Sequence, residues 1–394
     1  MTAGRNIKAI VVGAGIGGLT AAATLRKVGL DVEVYERARE LKPAGGALSF
    51  MTNSVLALRT LGIDLRLEEH AEILEELHFL TTSGKVIRTL RFKEICDRLG
   101  APSFGISRTL LQRLLLKEID DCPLTLDAAA TGYEQDADGV TVRFADGREA
   151  RGDVLIGADG FGSAIRRQVA GPEEPRETGY LCWVATPDFT HPRVPKQYGA
   201  HYWGRGKRFG IANIGNGQVY WWGTKNMPVE RARDWRGGKD EILDAYAGWA
   251  PEVVAAVEAT PIEAITAFPA RDRPFLEQWG DGPVTLLGDA AHPMMTSLGQ
   301  GACMAVEDAA VLAHCLRDAI AAGDGARRGL RSYEAARRAR TRKIVEGAHA
   351  LSGLEQTESR LRILGRDLFF RFAPSSVLDK TNAEYLDFAL EARQ

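Results

Sequence analysis

The chain reads as an α/β protein: a parallel-sheet domain built from separated pieces, an antiparallel β-sheet inserted between them, and helices at the C-terminal end. Three observations predict it. A strand, a glycine loop, a helix and a second strand open the sequence. Short apolar strands ending in glycine–aspartate motifs return near residues 154 and 284. Three alternating segments separated by glycine turns lie between those returns.

Residues 7–12 are a continuous apolar run broken by one lysine, the pattern of a buried strand. Residues 17–28, rich in alanine and leucine, predict a helix that Gly29 ends. Residues 31–36 alternate and complete a βαβ unit. Ser107 stands at the cap position of a leucine-rich helix running to about Ile119. Residues 138–147 predict a strand ending in a hairpin turn, and 154–156 a short buried strand. Between Tyr198 and Lys225, turns at Gly204-Arg205-Gly206-Lys207 and Gly215-Asn216-Gly217 separate the three alternating segments. A buried strand returns at 284–287, an alanine-rich helix runs to about Ala321, and the chain beyond Gly325 is helical. The expected partition is the parallel-sheet domain from 1–70, 101–175 and 270–345, the inserted antiparallel sheet from 71–100 and 176–269, and a helical segment, 346–394.

Lys+Arg number 50 and Asp+Glu 52, a net charge of −2, so nothing points to a nucleic-acid partner. Cys96, Cys122, Cys182, Cys303 and Cys315 are odd in number with no C-x-x-C spacing. That pattern argues against a zinc site or a disulfide framework and suits the cytoplasm. The first residues lack a signal-peptide pattern, and no apolar run approaches the ~20 residues of a membrane span.

Gly13-Ala14-Gly15-Ile16-Gly17-Gly18 follows the first strand and opens the helix. Gly13 allows the tight turn, Gly15 lets the backbone approach a pyrophosphate, and Gly18 lets the helix pack closely on the strand. A phosphate there meets free N–H groups and the positive end of the helix dipole. Glu36 ends the second strand, near where the Rossmann fingerprint places a carboxylate for ribose hydroxyls. These features predict dinucleotide binding without separating FAD from NAD. In a second motif, Gly288-Asp289-Ala290-Ala291-His292-Pro293 leads through Leu298-Gly299-Gln300-Gly301-Ala302 into a helix. Asp289 can accept from a ribityl hydroxyl, and the helix N-terminus favours an anion such as the N1–O2 edge of a reduced flavin.

With Gly157-Ala158-Asp159-Gly160, these motifs resemble the three fingerprints of the class A flavoprotein monooxygenases, the p-hydroxybenzoate hydroxylase family, over residues 8–346. The resemblance implies a Rossmann-like FAD domain, bound FAD, transient NAD(P)H and O2 as co-substrate. It implies cofactor contacts from Gly13, Gly15, Ile16, Gly18, Glu36, Arg37 and Gly46, and ribityl binding by Asp289. It places Arg108 near the pyrophosphate and ribityl, counts Gly301 among the cofactor contacts, and sets the backbone of Ala302 and Cys303 at the flavin O2. Asp159 and Gly160 form the core of a motif linked to both FAD and NAD(P)H. Lys42 stands where some members carry arginine, and it lacks the guanidinium fork. No second G-x-G-x-x-G follows a strand, so no separate NAD(P)H domain is expected.

The implied reaction transfers oxygen from a flavin C4a-hydroperoxide to a small aromatic or otherwise electron-rich compound, in secondary metabolism or aromatic catabolism. Two alternatives stand beside it: an epoxidase of an alkene or polyene, and an FAD-binding protein without turnover. A monomer or homodimer with a small aromatic or lipophilic substrate is expected.

In this family the antiparallel sheet covers the substrate. Here its strands carry His201, Tyr202, Trp203, Arg208, Asn213, Tyr220, Trp221 and Trp222. Alternation puts Tyr220 and Trp222 on one face and Val219 and Trp221 on the other. Residues 206–222 are similar to the matching part of bacterial urate hydroxylases, where an arginine and a tyrosine face the substrate. That points to Arg208 and Tyr220 as substrate-positioning residues. Those relatives carry an aspartate just before the L/I-G-Q-G turn. Ser297 stands there instead, so the acidic partner is missing and urate is not the expected substrate. Tyr202, Trp222, Pro293 and Met295 complete the expected pocket. His292 reads as loop support, and the basic run 327–343 as a solvated helix face.

Overall fold

The structure, a computed structural model, describes residues 6–41 and 46–388. Its first layer is a five-stranded parallel sheet, ordered Val284–Leu286, Val154–Gly157, Lys8–Val12, Asp31–Tyr35, Leu124–Thr125. The middle strands are buried almost throughout, which is why they read as unbroken apolar runs. The helix Ile16–Lys27 packs on the long helix Gly301–Ala321, and Thr24 Oγ1 donates to Ala309 O across that pair at 3.1 Å.

A second sheet of seven strands is ordered Thr266–Asp272, Arg176–Ala185, Gln218–Asn226, Lys207–Gly215, Tyr198–Trp203, Glu76–Thr81, Val86–Arg91. The three alternating segments read from the sequence are its neighbouring strands. All pairs are antiparallel except Tyr198–Trp203 with Glu76–Thr81, which is parallel. That hairpin arrives on a separate excursion of the chain, so no tight turn forces it antiparallel.

Period two divides the sheet. One face, with Trp183, Tyr202, Phe209, Val219 and Trp221, packs against the helices Lys239–Ala245 and Pro251–Ala259 as a second hydrophobic core. The opposite face carries Cys182, Val184, His201, Tyr220, Trp222 and Thr224 toward a cavity.

The helix Ala326–Glu355 passes residues 345–346 without a break, followed by Arg360–Phe372 and Ser375–Leu386. The basic run on it is not simply a solvated face. Arg337 is 3% exposed; its Nη1 reaches Glu307 Oε2 and its Nε reaches Asp308 Oδ1, both at 2.7 Å. Arg340 also pairs with Glu307 at 2.7 Å. Glu307 and Asp308 lie fully buried on the facing helix, and buried carboxylates need such partners. Among the described residues no helix is long and apolar enough to cross a membrane.

Candidate active site

A cavity of about 870 Å³ lies between the glycine loops, the cavity face of the seven-stranded sheet and the C-terminal helices. That is the upper part of the range for small-molecule and cofactor sites, ~300–1,000 Å³.

The first glycine loop is shaped by close contact. Gly13 has φ +108°, and a Cβ there would lie 2.3 Å from Ala158 O; one on Gly18 would lie 1.9 Å from Gly13 O. A Cβ on Gly15 would meet nothing within 4 Å, and Gly15 and Ile16 line the cavity. Two glycines thus close the packing, and the third leaves room for a ligand to approach the backbone. The helix Ile16–Lys27 begins there with no side-chain cap, so its first N–H groups remain available to an anion. Glu36 braces the loop: its carboxylate accepts from Ala14 N at 2.7 Å and Ala38 N at 2.9 Å. Its remaining lone pairs can still take ribose hydroxyls. Arg37 is exposed beside Gly162.

The second motif supplies the opposite wall. Asp289 lines the cavity with its carboxylate open to it but surrounded by protein. That desolvation pushes its pKa above the ordinary value, while His292 and Arg108 act the other way. The helix Gly301–Ala321 starts at the cavity with Gly301 and Ala302 in the wall and no side-chain cap. Cys303 turns its thiol away, to Ser49 O at 3.3 Å, and burial pushes the thiol up to about 11. Only its backbone remains available to a ligand. Gly46 and Arg108 line the same cavity, whereas Lys42 lies outside the described residues. Ser107 occupies the cap position ahead of Arg108, but its side chain makes no capping bond.

Two neighbouring groups hold loops rather than line the cavity. Asp159 accepts from Ser163 Oγ and from Ala164 N, capping the helix Ala164–Ala170; Ala158 and Gly160 are the parts of that motif in the wall. His292 is buried, its Nε2 paired with Asp308 Oδ2 at 2.6 Å, and the same oxygen accepts from Gly288 N at 3.1 Å. The histidine therefore fixes the turn that presents Asp289.

The sheet forms the roof. Trp222 lies over Gly210, where a Cβ would come within 1.9 Å of the indole. Tyr220 is 5.1 Å from the Trp222 ring, and His201 stands edge-on to it at 5.0 Å. Burial drives His201 down to about 3, so its imidazole is neutral. Met295 and Thr296 line the wall.

Two pocket expectations are corrected. Tyr202 pairs in register with Phe209 on the core face, fully buried, and donates to Glu252 at 2.7 Å; its neighbour His201 takes the cavity face. Pro293 is buried and absent from the lining, because His292 anchors that stretch inward while Met294 and Met295 reach the cavity. Arg208 sits on the cavity side of the sheet but is only 1% exposed, bonded to Ser297 Oγ and Thr296 Oγ1 at 3.3 Å each. It also pairs with Glu355, at the end of the helix Ala326–Glu355. The acid missing at position 297 is thus supplied from another element. Nothing local in the sequence marks Glu355, which arrives from 147 residues away.

Residues 6–348 match the family described as FAD binding domain. The chain is 36% identical over 379 residues to the aurachin C monooxygenase/isomerase of Stigmatella aurantiaca, covering 96% of this chain and 97% of that protein. It is 35% identical over 343 residues to an FAD-dependent urate hydroxylase of Klebsiella pneumoniae subsp. pneumoniae, with 86% and 88% covered. The solved structure of Klebsiella pneumoniae HpxO complexed with FAD and uric acid matches with a TM-score of 0.87 at 30% identity, over 96% of each chain. The chain therefore belongs to the FAD-binding-domain family and is an FAD-dependent monooxygenase of the class A, p-hydroxybenzoate hydroxylase-like kind.

Proposed function

We propose that this enzyme uses NAD(P)H and O2 to hydroxylate a flat, largely apolar aromatic or heteroaromatic compound bound under the sheet. The observation that carries this reading is the roof of His201, Tyr220 and Trp222 facing Asp289, Gly301 and Ala302 across one cavity. Aromatic side chains offer a planar ring broad apolar contact. Relatives named for acting on aurachin C and urate support the choice of a ring substrate.

FAD, when bound, supplies the electron transfer and oxygen activation. The residues expected to hold it are the backbone at Gly15 and Ile16, Glu36, Arg108, Asp289, and the helix start at Gly301, Ala302 and Cys303. The chain's remaining work is to orient the substrate ring and exclude water. The five cysteines are free and buried, which supports a reducing, cytoplasmic setting. The test is a screen of phenols, indoles and polyenes for stimulated NAD(P)H oxidation, with products identified. Hydroxylated rings are expected; epoxides from polyenes alone would replace this reading with an epoxidase.

A further inference from the structure

We propose that Glu355 is the substrate-side base of this site, accepting a hydrogen bond, and then the proton, from an acidic O–H or N–H on the aromatic ring to be hydroxylated. The inference rests on the reading that a ring substrate occupies the cavity.

Glu355 is 1% exposed and belongs to the cavity lining. One carboxylate oxygen, Oε2, is taken by Arg208 Nη1. The other, Oε1, is buried and makes no well-aligned hydrogen bond among the described residues, although the Ser297 hydroxyl and the Trp203 indole lie close enough to the carboxylate to act as donors. A buried carboxylate oxygen without a well-formed hydrogen bond is costly unless a group arriving beside it satisfies it. The groups facing it are Arg208, Arg366, Tyr180, Ser297 and the Trp203 indole. Arg208 is held by Ser297 and Thr296 as well, so the pair is fixed rather than free to swing. Burial raises the pKa of Glu355 while Arg208 opposes that rise. The result is a stronger base than a surface glutamate, with a cation beside it.

The chemistry follows. The substrate O–H or N–H bond breaks, its proton moves to Oε1, and the electron pair it leaves is delocalised into the ring. The ring carbon becomes more electron-rich, and so a better acceptor of the transferred oxygen. Arg208 balances the charge before transfer and is a positioning residue. The ligand class is an aromatic ring carrying an ionisable O–H or N–H, rather than a plain hydrocarbon or polyene.

The test uses FAD-loaded enzyme and three matched pairs: phenol and anisole, 4-hydroxyquinoline and 4-methoxyquinoline, indole and N-methylindole. Binding is followed by quenching of tryptophan fluorescence, and oxygenated product is measured separately. The wild type is expected to bind the protic member of at least one pair about tenfold more tightly, the worth of one charge-assisted hydrogen bond. Glu355→Gln should bring that ratio within twofold at unchanged FAD content, and Glu355→Asp should restore part of it. The wild-type kcat/KM should fall as pH drops through the pKa of Glu355, and Glu355→Gln should lose that acidic limb. Because Glu355→Gln leaves Arg208 without a counter-charge, the pair-neutral Arg208→Gln/Glu355→Gln variant is measured as well. Retained discrimination in both folded variants, or no discrimination for any pair in the wild type, overturns the proposal. So would pairing of Oε1 with the Trp203 indole, read as protic selectivity unchanged by Glu355→Gln but altered by Trp203→Phe. Discrimination without any hydroxylated product would leave Glu355 in place and overturn the hydroxylase reading instead.

Discussion

Asp289 leaves its carboxylate open to the cavity, whereas His292 commits its Nε2 to Asp308 at 2.6 Å. Substitution should therefore separate cofactor affinity from stability. Asp289→Ala removes a charged acceptor for the ribityl chain, so FAD binding should weaken by about 1.5–3 kcal/mol while the apo-protein keeps its stability. His292→Ala strips a partner from a buried carboxylate and should lower stability by about 1–3 kcal/mol. Its FAD content per folded chain should stay near wild type. Flavin absorbance per protein and denaturant melts read the two quantities, and a stable His292→Ala enzyme that loses only substrate oxidation would contradict the loop role. At the roof, Arg208→Leu leaves Glu355 buried without its cation and should cost about 3–5 kcal/mol, more than any effect on KM alone would require. Tyr220→Phe has no such debt and should chiefly lower coupling, seen as peroxide released per NAD(P)H consumed. Equal melting curves for Arg208→Leu and wild type would show that the pair is not formed in solution.

The two long helices, Gly301–Ala321 and Ala326–Glu355, are joined by the Arg337 pairs to Glu307 and Asp308. Burial alone would push both carboxyls up, but Arg337, with Arg340 on Glu307 and His292 on Asp308, brings each below its ordinary value. A folded pKa that is lowered contributes stability that is complete above the unfolded value, about 4, and lost as pH falls through the lower folded value. Wild-type stability should therefore drop steeply below about pH 4. Arg337→Met should lose about 3–5 kcal/mol at neutral pH and show a shallower acid dependence. An equal loss at neutral and acid pH would mean that the clamp does not couple to these carboxyls. The helices themselves were legible from composition and from the glycine entry at Gly299 and Gly301, but the clamp was not. A run of arginines reads alike whether it meets water or a partner helix, and only the two acids inside an alanine-rich stretch, Glu307 and Asp308, hinted at the difference. Alternation likewise separated Tyr220 and Trp222 from Val219 and Trp221, since all four sit on one strand. It could not orient Tyr202, because the choice of core face is made by the helices Lys239–Ala245 and Pro251–Ala259, which lie later in the chain. The glycine loops were readable because their geometry is local; Glu355 was not, because its meaning depends on a partner across the fold.

The helix Ala326–Glu355 has 30 residues and so spans about 45 Å. Near its start, Tyr333 donates to Leu286 O at 3.1 Å and Arg331 to Val284 O at 2.6 Å, both on the parallel sheet. At its end, Ser352 bonds Tyr180 at 2.9 Å and Glu355 pairs with Arg208, both on the seven-stranded sheet. One rigid element is thus pinned to both sheets, with Gly347, Leu351 and Glu355 in the cavity wall between them. This connection should make the chain unfold as one unit, and a bound cofactor should stabilise the whole of it. Free FAD at about 100 times its Kd adds roughly 2.7 kcal/mol by mass action, so a single thermal transition should move upward on adding FAD. Ala348 is fully buried near the middle of the stretch that bridges the sheets. Ala348→Pro removes one helix hydrogen bond and clashes with the preceding turn, a cost of about 3 kcal/mol or more. If the helix is what couples the sheets, the variant should melt in two transitions, and FAD should shift only the one that belongs to the parallel sheet and its glycine loops. Calorimetry with and without FAD distinguishes the cases. A single transition at the wild-type temperature, shifted by FAD as before, would mean that the sheets are coupled by their direct packing and that the helix is a passenger.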